Sequence, residues 1–425
     1  MARNVVIVGG GLAGLAASIY LARGGRTVTV FEKRQYLGGR AITQLRHGYR
    51  FNLGAHAFYR SGAGARVCRE LGVPVPGVVP KPRALALLNG HERMLPTGIL
   101  SLLGTSLLSL RGKAQLIRAL LRIRRIDRKP PGDVTVRAWV EANVSDSRAR
   151  QVLETLIRLT TYSNHAELAD AKLALAQMKI ALRGALYVHE GWQRIVDSLR
   201  STAVTSGVNF VSSSRIVGID VDGGRVRSVR LGGLELDADR MDTMSIAYPE
   251  TAPDRVDGAP LPAENVILAV DPATASELSG QTWNAQPVTA ACLDVALRKL
   301  PHPKRTFALG IDEPLYYAVH STWAQLAPKG GALIHTVKYG GGEERELEAL
   351  LDRMQPGWRE HVVHRRYMPS MTVSNALVTP DAKRPPVTTG VRGLYLAGDW
   401  VGDEGLLSDA AFASARAAAK AILAT

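Results

Sequence analysis

The strongest constraint on this chain lies near its start. Val5–Val8 is a short, wholly apolar run, the pattern of a central strand in a parallel sheet. Gly9, Gly11 and Gly14 follow at once in the spacing G-x-G-x-x-G, and a helix-forming stretch, LAGLAASIYLAR, comes next. In this arrangement the first glycine permits a tight turn, the second lets a phosphate approach the backbone, and the third lets the helix sit close on the strand. The N–H groups at the opening of the helix, around Leu12 and Ala13, then point their dipole at an anion. Val28–Phe31 is a second apolar strand, and Glu32 ends it where a carboxylate can accept hydrogen bonds from a ribose diol. Strand, turn, helix, strand and acid together predict a dinucleotide site in an α/β domain.

A second glycine loop narrows the choice of dinucleotide. Gly38-Gly39-Arg40 follows Glu32-Lys33-Arg34 within a few residues, with Thr43 beyond it. This pair resembles the acid-x-Arg and GGR signatures of the flavin amine oxidase and phytoene desaturase superfamily. The resemblance implies FAD, with Glu32, Lys33 and Arg34 near its ribose and Gly38, Gly39 and Arg40 bordering its pyrophosphate.

The far end of the chain resembles the same family. Gly393–Ala397 reads as another apolar strand, followed by Gly398-Asp399, a loop, and the helical stretch SDAAFASARAAAKAIL. The resemblance implies that Gly398 and Asp399 face the pyrophosphate and ribityl chain, and that the last helix aims its N-terminus at the flavin pyrimidine. Ser408 is the expected N-cap, with Asp409 in the first turn. Between these ends, Gly54-Ala55-His56 resembles the family segment beside the flavin ring, and the adenine is expected near Ile216. His56 and Tyr59 are the candidate catalytic residues, His56 because imidazole titrates near neutrality.

The implied fold is α/β: a Rossmann-like, three-layer FAD domain and an α+β substrate domain with a helical cap and an antiparallel sheet. The expected FAD-binding segments are 1–80, 186–284 and 387–425. The expected substrate segments are 81–185, read as an inserted helical region, and 285–386, with TAACLDVAL, FALGI, YYAVHS and ALIHTVKY as strands. Asp222-Gly223-Gly224 predicts a hairpin turn, and Asp237–Pro262 reads as an insertion or loop.

Charge and cysteine content bear on partners and compartment. The net charge is +15 with a pI near 10.0, yet no nucleic-acid-binding motif accompanies it. The only cysteines are Cys68 and Cys292, which predicts neither a disulfide framework nor a metal site and fits a cytoplasmic location. No room precedes the first strand for a secretory signal. Residues 96–129 join the uncharged run PTGILSLLGTSLLSL to a stretch in which eight Lys or Arg face one Asp127. Such a segment predicts either a peripheral contact with an anionic membrane or a cap helix with solvated charges.

The resemblance carries no amine-oxidase hallmarks over. Those oxidases place a lysine near the flavin on the first substrate strand, and TAACLDVAL has none, Lys299 falling after it. Their aromatic-cage tyrosine is matched here by Leu406-Leu407-Ser408, an apolar wall. The expected activity is therefore oxidation or desaturation of a lipophilic, isoprenoid-like or secondary-metabolite substrate, with non-covalent FAD as acceptor. Alternatives are a flavin amine oxidase, a redox-neutral mutase using Arg183, Arg365 or Arg366 on a diphosphate, and a binding scaffold on the same fold.

Overall fold

Five short apolar segments from distant parts of the chain pair side by side into one parallel sheet. In spatial order they are Asn209–Val211, Thr27–Phe31, Asn4–Val8, Asn265–Leu268 and Leu394–Leu396. Every pairing is parallel, with Ile7 in register with Val30 on one side and Ile267 on the other. Strand order reverses direction at the first strand, so a crevice opens there at the carboxyl ends of the strands. The computed structural model describes residues 4–81, 83–96, 99–232 and 260–425.

The first helix, Leu12–Arg23, packs between the sheet and the last helix, Leu407–Leu423. Small residues make this close packing possible: Ala16 and Ala17 meet the alanine-rich face of Ala415, Ala418 and Ala419, all fully buried. A Cβ at Gly14 would stand 2.0 Å from the Gly9 carbonyl oxygen, so the helix can seat on its strand only with glycine there.

A second sheet of seven strands runs in the order Val362–Ser374, Val288–Leu297, Ala332–Tyr339, Leu315–Val319, Phe307–Gly310, Ala84–Leu88 and His91–Met94. It is antiparallel apart from one parallel pair, Phe307–Gly310 with Ala84–Leu88. Strand alternation divides its core in two. Ala290 and Cys292 face the helical cap, whereas Ala291, Leu293 and Val295 face Leu347, Leu350 and Leu351 of the helix Glu344–Met354.

The segment from residue 81 onward, expected to be a helical region, is only partly helical. Its start, Ala84–Leu88 and His91–Met94, is a hairpin that extends this sheet, turning at Asn89 and Gly90, both at positive φ. An Asn-Gly pair between two strand-forming runs favours that turn over a helix. The cap proper comprises the helices Leu110–Arg124, Val136–Asn143, Ser147–Thr161 and Ala171–Ala181. Leu110–Arg124 buries Gly112, Leu116, Ala119 and Ile123 and leaves Arg118, Arg124 and, just past its end, Arg125 exposed. The hairpin at Gly223-Gly224 pairs Asp222 with Arg225. Of the Asp237–Pro262 insertion, Pro260–Pro262 is a short strand against Ser228–Arg230, and the remainder lies outside the described residues.

The helix Ala63–Leu71 ends at Gly72, which adopts φ +70 with nothing within 4 Å of a hypothetical Cβ. Gly72→Ala should therefore cost only the left-handed backbone penalty, about 1–2 kcal/mol, read as a lowered denaturation midpoint with unchanged ligand binding. Gly14→Ala should cost far more, because its Cβ meets backbone.

Candidate functional site

The carboxyl ends of four parallel strands open onto one cavity of about 600 Å³. Gly9 and Gly11 follow the first strand, Glu32 the second, Ala269 to Asp271 the fourth in chain order and Gly398-Asp399 the last. Sequence-distant residues converge because strand order, not chain order, sets which loops are neighbours.

One end of this cavity is polar. Glu32 is 7% exposed; its Oε2 accepts from the Gly10 N–H (2.8 Å) and its Oε1 from the Arg34 N–H (3.0 Å). The Ser214 N–H donates to the Glu32 carbonyl (2.9 Å), which brings Ser214 and Ile216 to the same wall as Lys33 and Arg34. Asp271 caps the helix Pro272–Ser279 there, and Arg215 pairs with Glu277 at 3.5 Å.

The middle of the cavity is lined by two glycine loops that touch each other. The Gly38 N–H donates to the Gly10 carbonyl (2.8 Å), and Gly38 and Gly39 both take positive φ, +121 and +55. A Cβ at Gly11 would meet nothing within 4 Å, so the backbone is bare on its cavity side. The first helix starts at Leu12 behind Gly11 with no side-chain cap, leaving first-turn N–H groups open beside Leu12 and Ala13 in the wall. In the same wall Arg40 pairs with Asp399 at 2.8 Å and donates to the Val373 carbonyl at 3.0 Å. Asp399 also accepts from the Asn375 backbone N–H (3.0 Å) and side-chain Nδ2 (2.9 Å). Burial alone would raise the Asp399 carboxyl; the Arg40 guanidinium and the Asn375 donors outweigh it and hold the group below the usual carboxylate range.

The far end is largely apolar and aromatic, walled by Ala55, Tyr162, Trp192, Met371 and Leu407 together with His56. The Tyr162 hydroxyl donates to the Ala55 carbonyl (3.0 Å), and His56 meets Trp192 edge-on at 5.0 Å. The His56 Nδ1 lies 3.1 Å from the Gly54 carbonyl, which only accepts, so Nδ1 carries the proton and Nε2 the lone pair. Burial pushes this imidazole down to about 4, although the Gly54 and Arg40 carbonyls favour its charged form. At neutral pH it is an uncharged base. The buried Trp192 Nε1 has no protein partner.

The last helix begins at Leu407, with Leu406 as a cap that offers no side-chain acceptor. Ser408 lies inside the first turn rather than capping it, so here too the first N–H groups stay open at the cavity, where Leu407, Ser408 and Ala411 form wall.

Not every expected residue reaches the cavity. Gly14, Gly54 and Leu406 support it without lining it: a Cβ at Gly54 would stand 2.7 Å from the Met371 sulfur. Tyr59, expected beside the flavin, does not line the cavity either. It pairs in a strand with Ala185, and its buried hydroxyl donates to the Thr160 carbonyl at 3.1 Å. Arg183, Arg365 and Arg366 are also absent from the wall; Arg365 pairs with Glu344 and Glu348, and Arg366 with Asp294. Tyr162, Asp271 and the strand end Met371–Asn375 escaped the sequence reading. Only the Asp271-Pro272 pair carried a local signal, an N-cap followed by proline at the helix start.

Cys292, Asp294 and His335 form a buried cluster of metal-ligand types. Their chemistry is already committed: one Asp294 oxygen meets His335 Nδ1 and the other Arg366 Nη2, each at 2.5 Å. Burial would raise this carboxyl, but His335 and Arg366 hold it well below its ordinary value, as a paired anion.

The residues present fit a flavin dinucleotide on the structure's own evidence. Two uncapped helix starts and the bare face of Gly11 suit its phosphates, Glu32 suits a ribose, and the orphaned Trp192 Nε1 offers a donor at the far end. Comparison with known proteins agrees. The profile of the flavin containing amine oxidoreductase family matches residues 12–423. A coproporphyrinogen III oxidase of Propionibacterium freudenreichii is 31% identical over 167 residues, 36% of this chain and 31% of that protein. A 1-hydroxycarotenoid 3,4-desaturase of Flavobacterium is 45% identical over 56 residues, 13% of this chain and 12% of that one. The matched segments thus span under a third of these relatives' own lengths. Among solved structures, an oxidoreductase from Methanosarcina mazei (TM-score 0.75, 17% identity) aligns over 98% of this chain and 100% of its own. A putrescine oxidase bound to putrescine (TM-score 0.71, 14% identity) aligns over all of both chains. At these identities the likeness is one of fold.

Asp409 gives the site a pH signature. It is 2% exposed and accepts from the Gly64 N–H at 2.7 Å. Burial, aided by Glu404, raises its carboxyl from 3.8 to about 6, against the Gly64 and Gln177 hydrogen bonds and Arg66. The folded state therefore holds this proton more tightly than the unfolded one. The resulting stabilisation is complete below about pH 4 and is lost as pH rises through about 6, on the order of 2–3 kcal/mol in all. Asp409→Asn should flatten that part of the stability–pH curve, as followed by denaturant midpoints from pH 4 to 7.

Proposed function

The chain belongs to the family of flavin containing amine oxidoreductases, and from that premise we propose that it binds FAD without a covalent link and uses it to oxidise or desaturate a lipophilic small molecule. The bound flavin supplies a two-electron acceptor for a hydride. The chain supplies position, exclusion of water and one base.

The carrying observation is the chemistry of the far wall. Among the cavity-lining residues, the acids are Glu32, Asp271 and Glu277 at the polar end and Asp399 in its salt bridge with Arg40; the lysine is Lys33, also at the polar end. A protonated amine seated beside Leu407 and Met371 would thus meet no free carboxylate, whereas a hydrocarbon meets ordinary apolar surface. When a C–H bond yields its hydride and the neighbouring carbon its proton, the His56 Nε2 lone pair is the base on this wall. Neither cysteine lines the cavity, which supports a cofactor held by contacts alone. Gly9, Gly11, Glu32, Arg40 and Asp399 all line the cavity, which disfavours a flavin-free scaffold. The three arginines considered for a diphosphate lie off the wall, which disfavours the mutase.

The purified protein should show a flavin absorption spectrum that becomes that of free FAD on denaturation. Anaerobic addition of an apolar polyene should bleach it, and simple primary amines should not. Bleaching by amines alone would favour the amine oxidase, and a protein that neither carries nor takes up FAD would overturn the enzyme reading.

A second contact is favoured by the outward face of Leu110–Arg124. Leu110 is 84% and Leu121 49% exposed beside Arg118, Arg124 and Arg125. No helix among the described residues is long and apolar enough to cross a membrane. A peripheral hold on an anionic bilayer suits a lipophilic substrate. The protein should co-sediment with phosphatidylglycerol vesicles and not with phosphatidylcholine vesicles. Replacing Arg118, Arg124 and Arg125 with Glu should abolish that binding, and indifference of the wild type to both vesicles would remove the contact.

A further inference from the structure

A carboxylate stands where the fold otherwise offers positive charge. The helix Leu407–Leu423 begins at the cavity with no side-chain cap, and Leu407, Ser408 and Ala411 form wall there. The open N–H groups of such a start carry partial positive charge. Asp409 lies in the same first turn without lining the cavity, and it is 2% exposed. As an anion it cancels part of that positive charge from behind the wall.

The surroundings of Asp409 leave one of its oxygens free to hold a proton. Oδ1 accepts from the Gly64 N–H (2.7 Å) and so caps the helix Ala63–Leu71, whose own N-cap, Gly62, has no side chain to do it. Oδ2 packs on Gly62, where a Cβ would stand 2.2 Å away, and makes no well-aligned hydrogen bond. Nor does Nε2 of Gln177, which faces it from the cap helix Ala171–Ala181. A buried ionised carboxylate with so few donors is poorly satisfied.

The charged groups facing Asp409 are Glu404 on the preceding loop and Arg66 on the helix Ala63–Leu71, which pair with each other at 2.6 Å. Tyr59 and Cys68 face it as well, and burial keeps both uncharged near neutral pH, with the Cys68 thiol pushed up to about 12. Asp409 itself titrates at about 6. Its charge is therefore the one in this cluster that a change in the cavity can switch near neutrality.

We propose that Asp409 takes up a proton from solvent as the bound flavin accepts a hydride, so that the helix start meets the added negative charge unopposed. The proposal rests on the FAD reading above, in which Glu32 suits a ribose, Gly11 the phosphates and the far end, beside Leu407, the ring. It adds a charge-compensating residue to that reading. A C–H bond of the substrate breaks, and its hydrogen and electron pair leave together, which brings one negative charge to the site. The Asp409 carboxylate forms one O–H bond with a proton from solvent and loses one negative charge. The second substrate proton goes to His56 Nε2, as before. Asp409 touches neither substrate nor cofactor, so it is a positioning residue that acts through the helix start.

The test is the midpoint potential of the FAD-loaded protein from about pH 5 to about pH 8.5, measured against reference dyes. Wild type and Asp409→Asn should coincide near pH 5, where the wild-type carboxyl already carries its proton, and part as pH rises through about 6. At the alkaline end the variant should favour the reduced form about tenfold more than the wild type, which is about 30 mV for a two-electron couple. Should Asp409→Asn fail to load FAD, two exposed neighbours decide. Glu404→Gln should move the bend in the wild-type curve to lower pH, and Arg66→Gln should move it to higher pH. Superimposable curves, an offset of equal size at every pH, or a bend that neither neighbour moves would overturn the proposal and leave the FAD reading intact. A wild type that takes up no FAD would overturn both.

Discussion

One buried carboxylate fastens together parts of the chain that lie far apart in sequence. Asp399 follows the edge strand of the parallel sheet, Arg40 belongs to the second glycine loop near the start, and Asn375 follows the last residue of a strand of the other sheet. Asp399 is 3% exposed, so it would be costly unpaired. Its partners make it an anchor instead. The same link brings Arg40 and Asp399 together in the cavity wall that also holds Leu12 and Ala13. Removing any one partner leaves a buried charge or donor unmet, which is why such a network holds geometry better than an apolar contact of the same area.

The charge gradient along the cavity follows from the fold. Strand ends of a parallel sheet bring helix starts and acidic caps, hence the polar end around Glu32 and Asp271. The sheet-and-cap side brings side chains from a half-buried edge strand, hence Met371, and from a cap helix terminus, hence Tyr162. A ligand with a charged half and an apolar half is thus oriented by the architecture before any individual contact selects it. His56 sits where the two regimes meet, dry enough to stay neutral, with the Gly54 carbonyl accepting its Nδ1 proton.

What could be read from sequence was what close approach enforces locally. Gly14 is unreplaceable because its neighbour is backbone, and Glu32 is placed by the strand that ends there; both leave a spacing in the sequence. Gly398-Asp399 was legible through the family resemblance of the strand and helix that flank it. Tyr59 was misjudged because three residues suffice to carry a strand away from the wall that His56 lines. Tyr162, Met371 and Asn375 left no trace, since cap packing and sheet register bring them in from far along the chain. The basic run at 111–129 was legible as a helix, but its buried stripe, Leu116, Ala119 and Ile123, is what assigns it to the cap. The hairpin at Asn89-Gly90 shows the converse: a strong local turn signal lay within a region whose overall pattern suggested helices.

The assembly of the parallel sheet also has a consequence for timing. Its first and central strand carries the glycine turn, yet the crevice lacks one wall until Leu394–Leu396 and the helix Leu407–Leu423 have been made. A ribosome therefore exposes the half of the cavity built on Gly9, Gly11 and Glu32 long before the half built on Gly398, Asp399 and Leu407. From the making of Asn265–Leu268 until that of Leu394–Leu396 the nascent chain holds an apolar sheet edge that has no partner. For this chain, cofactor loading and burial of that edge belong to the same late moment, and whatever guards the edge until then also sets when the protein becomes a flavoprotein.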